Sequence, residues 1–364
     1  MKICICGGGS LGHIIAGKAA HQGHDVAILT RKPEEWSNTL IIDDCRGNIF
    51  RGSVSCISAH PQETIPGCDI VMLCLPGFAI EEVLNTIRPH LSENTYVGSV
   101  VCSTGFFFMA HKVLGANAHL FGFQRSPYIA RTDVYGRSAH LLGYKNMLHV
   151  ASKGIDQKEE LCQTLSSLLD TPTQHLEHWL EASLTNSNPL LHPARLYGLF
   201  HNWSKSTPFS EVPGFYNAWD DLSSETLIAC DEEFQNVLNH IPVQLTPIPR
   251  LLDYYESTSA ETLTQKLRSI PAFMGIKAPM KQTEEGFEPD FENRYFTEDF
   301  PYGMVIVKSV AEAVGCSTPT IDRVLAWGSK MMNKEYIHKD KLTGKDLSQS
   351  GYISPALFHE MLCL

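Results

Sequence analysis

The sequence predicts an α/β chain in which an N-terminal doubly wound parallel sheet is followed by a mostly α-helical region. Three observations carry this reading. An apolar strand opens the chain and runs straight into a glycine-rich turn and a helix. Strand-like apolar runs then alternate with amphipathic helical ones over roughly the first half. From about Glu177 the apolar spacing becomes helical. At 364 residues the chain exceeds one ordinary core, which holds about 100–150 residues. Two domains are therefore expected, 1–172 and 173–364, with the boundary at Thr171-Pro172-Thr173.

The first elements lie in "KICICGGGSLGHIIAGKAAHQGHDVAILTRK". Ile3 to Cys6 form the strand, and Gly7, Gly9 and Gly12 space out as G-x-G-x-x-G. Leu11, Ile14, Ile15 and Ala19 mark the helix face, Gly23 ends it, and "DVAILT" starts a second strand. In such a Rossmann-type unit the first glycine permits the tight turn. The second lets the backbone approach a pyrophosphate, and the third lets helix and strand pack closely. The helix N-terminus, at Ser10 and Leu11, offers free N–H groups and a positive dipole end to phosphates. A dinucleotide is the expected cofactor.

The second strand ends in Thr30-Arg31-Lys32. An NAD site usually carries Asp or Glu near this point for the ribose 2′-hydroxyl. A basic end predicts NADP in preference to NAD, with Arg31 on the 2′-phosphate. The competing reading is a solvated basic turn, since Glu34 and Glu35 are close by. "DIVMLCLPGFAIEEVLNTIRPHL" repeats strand, turn and helix, placing Leu75 and Pro76 at a strand end facing the cofactor. "HLFGFQRSPYIARTDVYGRSAHLLGYKNMLHVAS" reads as successive strands with turns at Ser126-Pro127 and Gly136, and "QKEELCQTLSSLL" as a closing helix.

Composition excludes several classes. Hydrophobic residues make up 43% and charged residues 19%, so a core is available and wholesale disorder is not expected. Lys and Arg number 29 against 40 Asp and Glu, a net charge of −11. Such a chain is ill suited to nucleic acid or anionic lipid. No apolar run approaches the roughly 20 residues of a membrane span, and "MKICICGGGS" is not a signal peptide. The 11 cysteines are scattered, odd in number and without paired metal spacing. They read as reduced thiols in a cytoplasmic protein with no metal site.

In the second half, "LEHWLEASLTNSN", "DLSSETLIACDEEFQNVLNHI" and "ETLTQKLRSI" read as helices joined by proline-rich loops. Asn188 and His192 lie four residues apart in "LTNSNPLLHPARLYG" and share a side if the segment is helical. Pro189 can open a helix, and Pro193 restricts the backbone of His192. His192 reads equally as an interfacial histidine, one of 16, and Asn188 as a cap. In "RYFTEDFPYG", Glu298 or Asp299 can cap the next helix, with Pro301 in its first turn, Met304, Val307, Ala311 and Val314 on its apolar face, and Gly315 at its end. Capping does not account for Arg294, a natural bidentate clamp for a carboxylate.

With "CGGGSLG", "HPARLYG", "PDFENRYFTEDFPYG" and "LTGKD", the chain resembles the opine dehydrogenases, the octopine/nopaline dehydrogenase family, over nearly its whole length. The resemblance implies reductive condensation of an amino acid with a 2-keto acid such as pyruvate, using NADH or NADPH. It also implies a His–Asp pair, His192 and Asp299, and a carboxylate-binding Arg294; Asn188 and Gln124 are further candidate substrate contacts. The region matching the amino-substrate site, "FGFQRSPY", offers Gln124 and Arg125 but no carboxylate. A neutral or acidic amino acid therefore fits better than a cationic one. Ketopantoate-reductase-like and glycerol-phosphate-type reductases share the two-part plan but rely on a lysine, and none lies between Glu177 and Ser204. A non-catalytic dinucleotide-binding sensor is the remaining alternative. Closure of the two domains on substrates is expected, and a homodimer is compatible with the sequence.

Overall fold

The computed structural model describes residues 1–246 and 248–363. It divides into two compact units, Met1–Leu184 and Thr185–Leu364. The division lies beyond the 172/173 boundary read from the sequence because Thr173–His175 adds a strand to the first unit's sheet, beside Leu148–Lys153.

Lys2–Cys6 is an inner strand of that eight-stranded sheet. On one side lie Asp25–Leu29 and Cys56–Ser58; on the other lie Ile70–Leu73, Tyr96–Ser99 and Leu120–Phe123, all in parallel. Leu148–Lys153 then pairs antiparallel. Strand order thus reverses on either side of Lys2–Cys6, which makes the gap beside Ile70–Leu73 the switch point where ligands gather. Central strands buried on both faces must be apolar throughout. Ile3, Ile5, Ile28, Ile70 and Met72 accordingly form a core with Ile14 and Ile15 of the helix Ser10–His21.

A second, four-stranded sheet of Ile49–Ser53, Thr39–Asp44, Ser138–Tyr144 and Tyr128–Val134 belongs to the same unit. It packs on the helix that follows the glycine turn: a side chain at Gly52 would strike the Gly17 carbonyl. The 39–44 and 49–53 strands were not expected from the sequence.

The second unit is mainly helical. Asn188–Phe200 is one continuous helix with Pro193 inside it. It packs against Asp221–His240, Pro319–Met331 and a π-helical turn, Phe300–Met304, that leads into Val305–Ala313. The helix expected over "LEHWLEASLTNSN" is reduced to Leu180–Ser183. Residues 179–186 are all buried, so their apolar spacing does not mark one face of a surface helix. No helix among the described residues is long and apolar enough to cross a membrane.

Gly328 marks how tightly the turn is held. A Cβ there would lie 2.0 Å from the Phe300 ring. Overpacking of this kind costs about 1–3 kcal/mol, so Gly328→Ala should lower the urea midpoint accordingly. An unchanged midpoint would show that the turn yields freely.

Candidate active site

In the first unit the glycine turn lies over the switch point. Gly7 has φ +119°, a conformation that side-chain-bearing residues avoid, and a Cβ there would meet the Cys74 carbonyl oxygen at 2.5 Å. A Cβ at Gly12 would lie 2.2 Å from the Gly7 carbonyl oxygen. Nothing comes within 4 Å of a Cβ built on Gly9. The cradle is therefore closed by protein at Gly7 and Gly12 and open at Gly9, where a pyrophosphate would approach the backbone. Ser10 begins the helix, and its Oγ accepts the Thr132 N–H at 3.0 Å. Leu11 is half-buried beside it. Leu75 and Pro76 follow the strand Ile70–Leu73, and Pro76 leads into the helix Gly77–Ile87. Arg31 is exposed just past Asp25–Leu29, while neighbouring Lys32 pairs with Glu35 at 2.8 Å. These residues fit a nicotinamide dinucleotide.

One contributor escaped the sequence reading. His13 is fully buried, and the Gly136 N–H donates to its Nε2 at 2.7 Å. Nδ1 must then carry the hydrogen, which it donates to the Gly9 carbonyl at 3.0 Å. The ring stacks on Trp36 with centroids 4.2 Å apart. His13 so ties the glycine turn to the hairpin of the second sheet. Its position four residues after Gly9 was the available signal.

In the second unit His192 and Asp299 meet. Nδ1 of His192 donates to Oδ2 of Asp299 at 2.8 Å. His192 is 6% exposed. Asp299 precedes the π-helical turn and makes no capping hydrogen bond with its side chain; its carboxylate faces His192 instead. Asp299 is thus not a side-chain cap of that turn. Nε2 of His192 lies 3.0 Å from the Tyr216 hydroxyl, and Tyr295 lies against the ring at 4.4 Å. Tyr216 was not singled out in the sequence, because its loop carries no periodic pattern. Arg294, exposed, opens a short helix, Arg294–Thr297, capped by the Asn293 side chain. Asn188 shares the His192 helix but is exposed, its Oδ1 3.4 Å from the Ser187 hydroxyl. Gln124, in the first unit, donates its amide to the Glu181 carbonyl at 2.8 Å.

A glycine-turn cradle and a buried imidazole–carboxylate pair in one chain are parts that a nicotinamide-dependent oxidoreductase would need. The family described as "NAD/NADP octopine/nopaline dehydrogenase, alpha-helical domain" matches residues 175–332, and "Ketopantoate reductase PanE/ApbA" matches residues 3–102. Octopine dehydrogenase of Mizuhopecten yessoensis is 31% identical, the alignment covering 96% of this chain and 94% of that one. Tauropine dehydrogenase of Arabella iricolor is 28% identical, with 95% of both chains covered. A solved octopine dehydrogenase with NADH and L-arginine superposes with a TM-score of 0.88 at 29% identity, over 98% of this chain and 95% of that one. The chain belongs to the opine dehydrogenase family. The match to ketopantoate reductases by family is confined to residues 3–102, and solved ketopantoate reductases share only the fold, at 14–16% identity.

Burial lowers the pKa of His13 from the ordinary 6.5, against a smaller opposing effect of the Gly9 carbonyl. A base with a depressed folded value contributes stability that is complete above 6.5 and is lost as pH falls toward the folded value. The wild-type urea midpoint should therefore decline below about pH 6.5 more steeply than that of His13→Gln. Identical slopes would remove His13 as the cause.

Proposed function

We propose that the protein reductively condenses the amino group of an amino acid with a 2-keto acid such as pyruvate, using NADH or NADPH, and so belongs to the oxidoreductases of CH–NH donors. The observation that carries this reading is the 2.8 Å hydrogen bond between buried His192 and Asp299. Its relatives add support: solved octopine dehydrogenases hold NADH with L-arginine in one case and with pyruvate in another.

Gly7, Gly9, Ser10, Leu11, Gly12, Leu75 and Pro76 would hold the dinucleotide, which supplies hydride when bound. Arg31 at the strand end favours NADPH over NADH. Arg294 pairs with the keto-acid carboxylate and fixes its orientation. Asn188 and Gln124 add substrate contacts. Asp299 holds the His192 ring with the hydrogen on Nδ1. The other nitrogen, Nε2, is then the one directed at chemistry. His192 delivers a proton to the carbonyl oxygen as the neutral amine adds, and recovers one from the amine nitrogen. It delivers again as the hydroxyl leaves as water, giving the C=N bond that hydride reduces. Burial keeps bulk water from intercepting these transfers.

The missing carboxylate around Gln124 and Arg125 favours a neutral or acidic amino acid. A cytoplasmic setting suits the 11 cysteines, among them the buried Cys4, Cys6, Cys68, Cys102 and Cys230. A homodimer is compatible with this chemistry, since every residue invoked lies in one chain.

The test is cofactor oxidation over a matrix of keto acids and amino acids, with NADH and NADPH in parallel. Oxidation that needs both organic partners, and is more efficient with NADPH, is expected. Oxidation with the keto acid alone would mean a hydroxy-acid reductase, and cofactor binding without turnover a sensor. His192→Ala should lose about 10²–10⁴-fold in kcat with cofactor affinity nearly unchanged. Arg294→Ala should chiefly raise KM for the keto acid.

A further inference from the structure

We propose that Tyr216 is the last member of the His192 proton relay, the group whose hydroxyl passes the proton to the substrate oxygen, and that Arg195 is the positioning residue that holds it there. The proposal rests on the reading of His192 as the proton-transfer group.

Both nitrogens of His192 already have partners. Nδ1 faces Asp299, and Nε2 faces the Tyr216 hydroxyl. A neutral ring with Nδ1 protonated accepts from the Tyr216 O–H; a charged ring donates Nε2–H to the same oxygen. To touch substrate directly, Nε2 would first have to shed Tyr216, and three features oppose that. Tyr216 is 5% exposed. Its ring is stacked on Phe273, centroids 4.0 Å apart at 17°, and on Trp219 at 5.9 Å and 8°. Its backbone is clamped by Arg195.

Arg195 lies three residues after His192 on the same helix and is fully buried. Its Nε donates to the Phe215 carbonyl at 2.7 Å, and one terminal nitrogen donates to the carbonyls of Ala218 at 2.6 Å and Gly214 at 3.3 Å. Those three carbonyls bracket Tyr216. The other terminal nitrogen reaches Asp220 at 2.7 Å and the Ser223 hydroxyl at 3.2 Å. Burial brings the Arg195 pKa down to about 10, with Asp220 opposing, so the guanidinium stays charged at neutral pH. One helix thus carries both the imidazole and the clamp that sets the tyrosine against it.

The step balances simply. As water leaves, the Tyr216 O–H proton goes to the departing hydroxyl oxygen while the phenol oxygen takes the Nε2 proton of imidazolium. Tyrosine ends unchanged, histidine ends neutral, and one proton has moved. Burial also pushes the phenol pKa well up, so Tyr216 stays protonated and acts as a conduit, not as a base.

The experiment compares His192→Ala, Tyr216→Phe, Arg195→Lys and the double variant Tyr216→Phe/Arg195→Lys in the intact enzyme, reading kcat, KM for the keto acid and NADPH affinity. Tyr216→Phe removes one oxygen and leaves the stacked ring. It should lower kcat by about 10²-fold, the lower edge of what a proton-transfer group contributes, with KM and cofactor affinity nearly unchanged. Arg195→Lys should lower kcat alone and add nothing in the Tyr216→Phe background, a non-additivity that general destabilisation would not give. If His192→Ala is disabled but Tyr216→Phe turns over normally, Tyr216 is no relay and only the histidine assignment survives. If His192→Ala is itself active, both fall. Additive losses in the double variant would remove Arg195 from the scheme. Should Arg195→Lys fail to fold, Tyr216→Phe still decides the relay.

Discussion

The hydrogen bond from His192 Nδ1 to Asp299 is the contact on which the chemistry proposed for the second unit depends. It joins two segments distant in sequence, and each is shaped for it. Pro193, lacking an N–H, cannot bond back to the Pro189 carbonyl, yet the helix continues through it. The partner segment departs from α-helical geometry at the point of contact: the Met304 N–H bonds to the Asp299 carbonyl, five residues back. Such π turns recur at functional sites. Gly303 lies so close to Pro189 that a Cβ would come within 3.0 Å of the Pro189 Cβ. The absence of that one methyl group lets turn and helix pack together.

In the first unit the constraint is the backbone of the glycine turn. Gly7 and Gly12 are enforced by contacts with main-chain oxygens, which cannot move aside as a flexible side chain could. His13 braces the turn from behind, accepting from Gly136 and donating to Gly9. Both units thus use a buried histidine with two engaged nitrogens. In one it is a brace, and in the other its partners are a carboxylate and a phenol, which can exchange protons.

Local features were legible in the sequence. The strand, the glycines and the following helix could be read from "KICICGGGSLGHIIAG" because spacing there determines structure directly. The helix ending at Gly315 was legible from its apolar face and its proline. The His192–Asp299 pair was reached only through family resemblance, because no local rule connects positions so far apart. Tyr216 and Arg195 were missed for different reasons. Tyr216 sits in an aperiodic loop. Arg195 looks like a surface cation on paper, and only its ring of carbonyl acceptors explains its burial. The segment around Leu180 was misread because helical spacing is also satisfied by a chain buried on all sides.

The protonation pattern of His192 is the most direct measure of this account. Nitrogen-15 histidine NMR at neutral pH, with the signal assigned by its loss in His192→Gln, reads which ring nitrogen carries the hydrogen. A hydrogen on Nδ1, displaced in Asp299→Asn, is the predicted result. A neutral ring protonated on Nε2 would contradict the account, because Asp299 would then face a lone pair and the path to Tyr216 would run the wrong way.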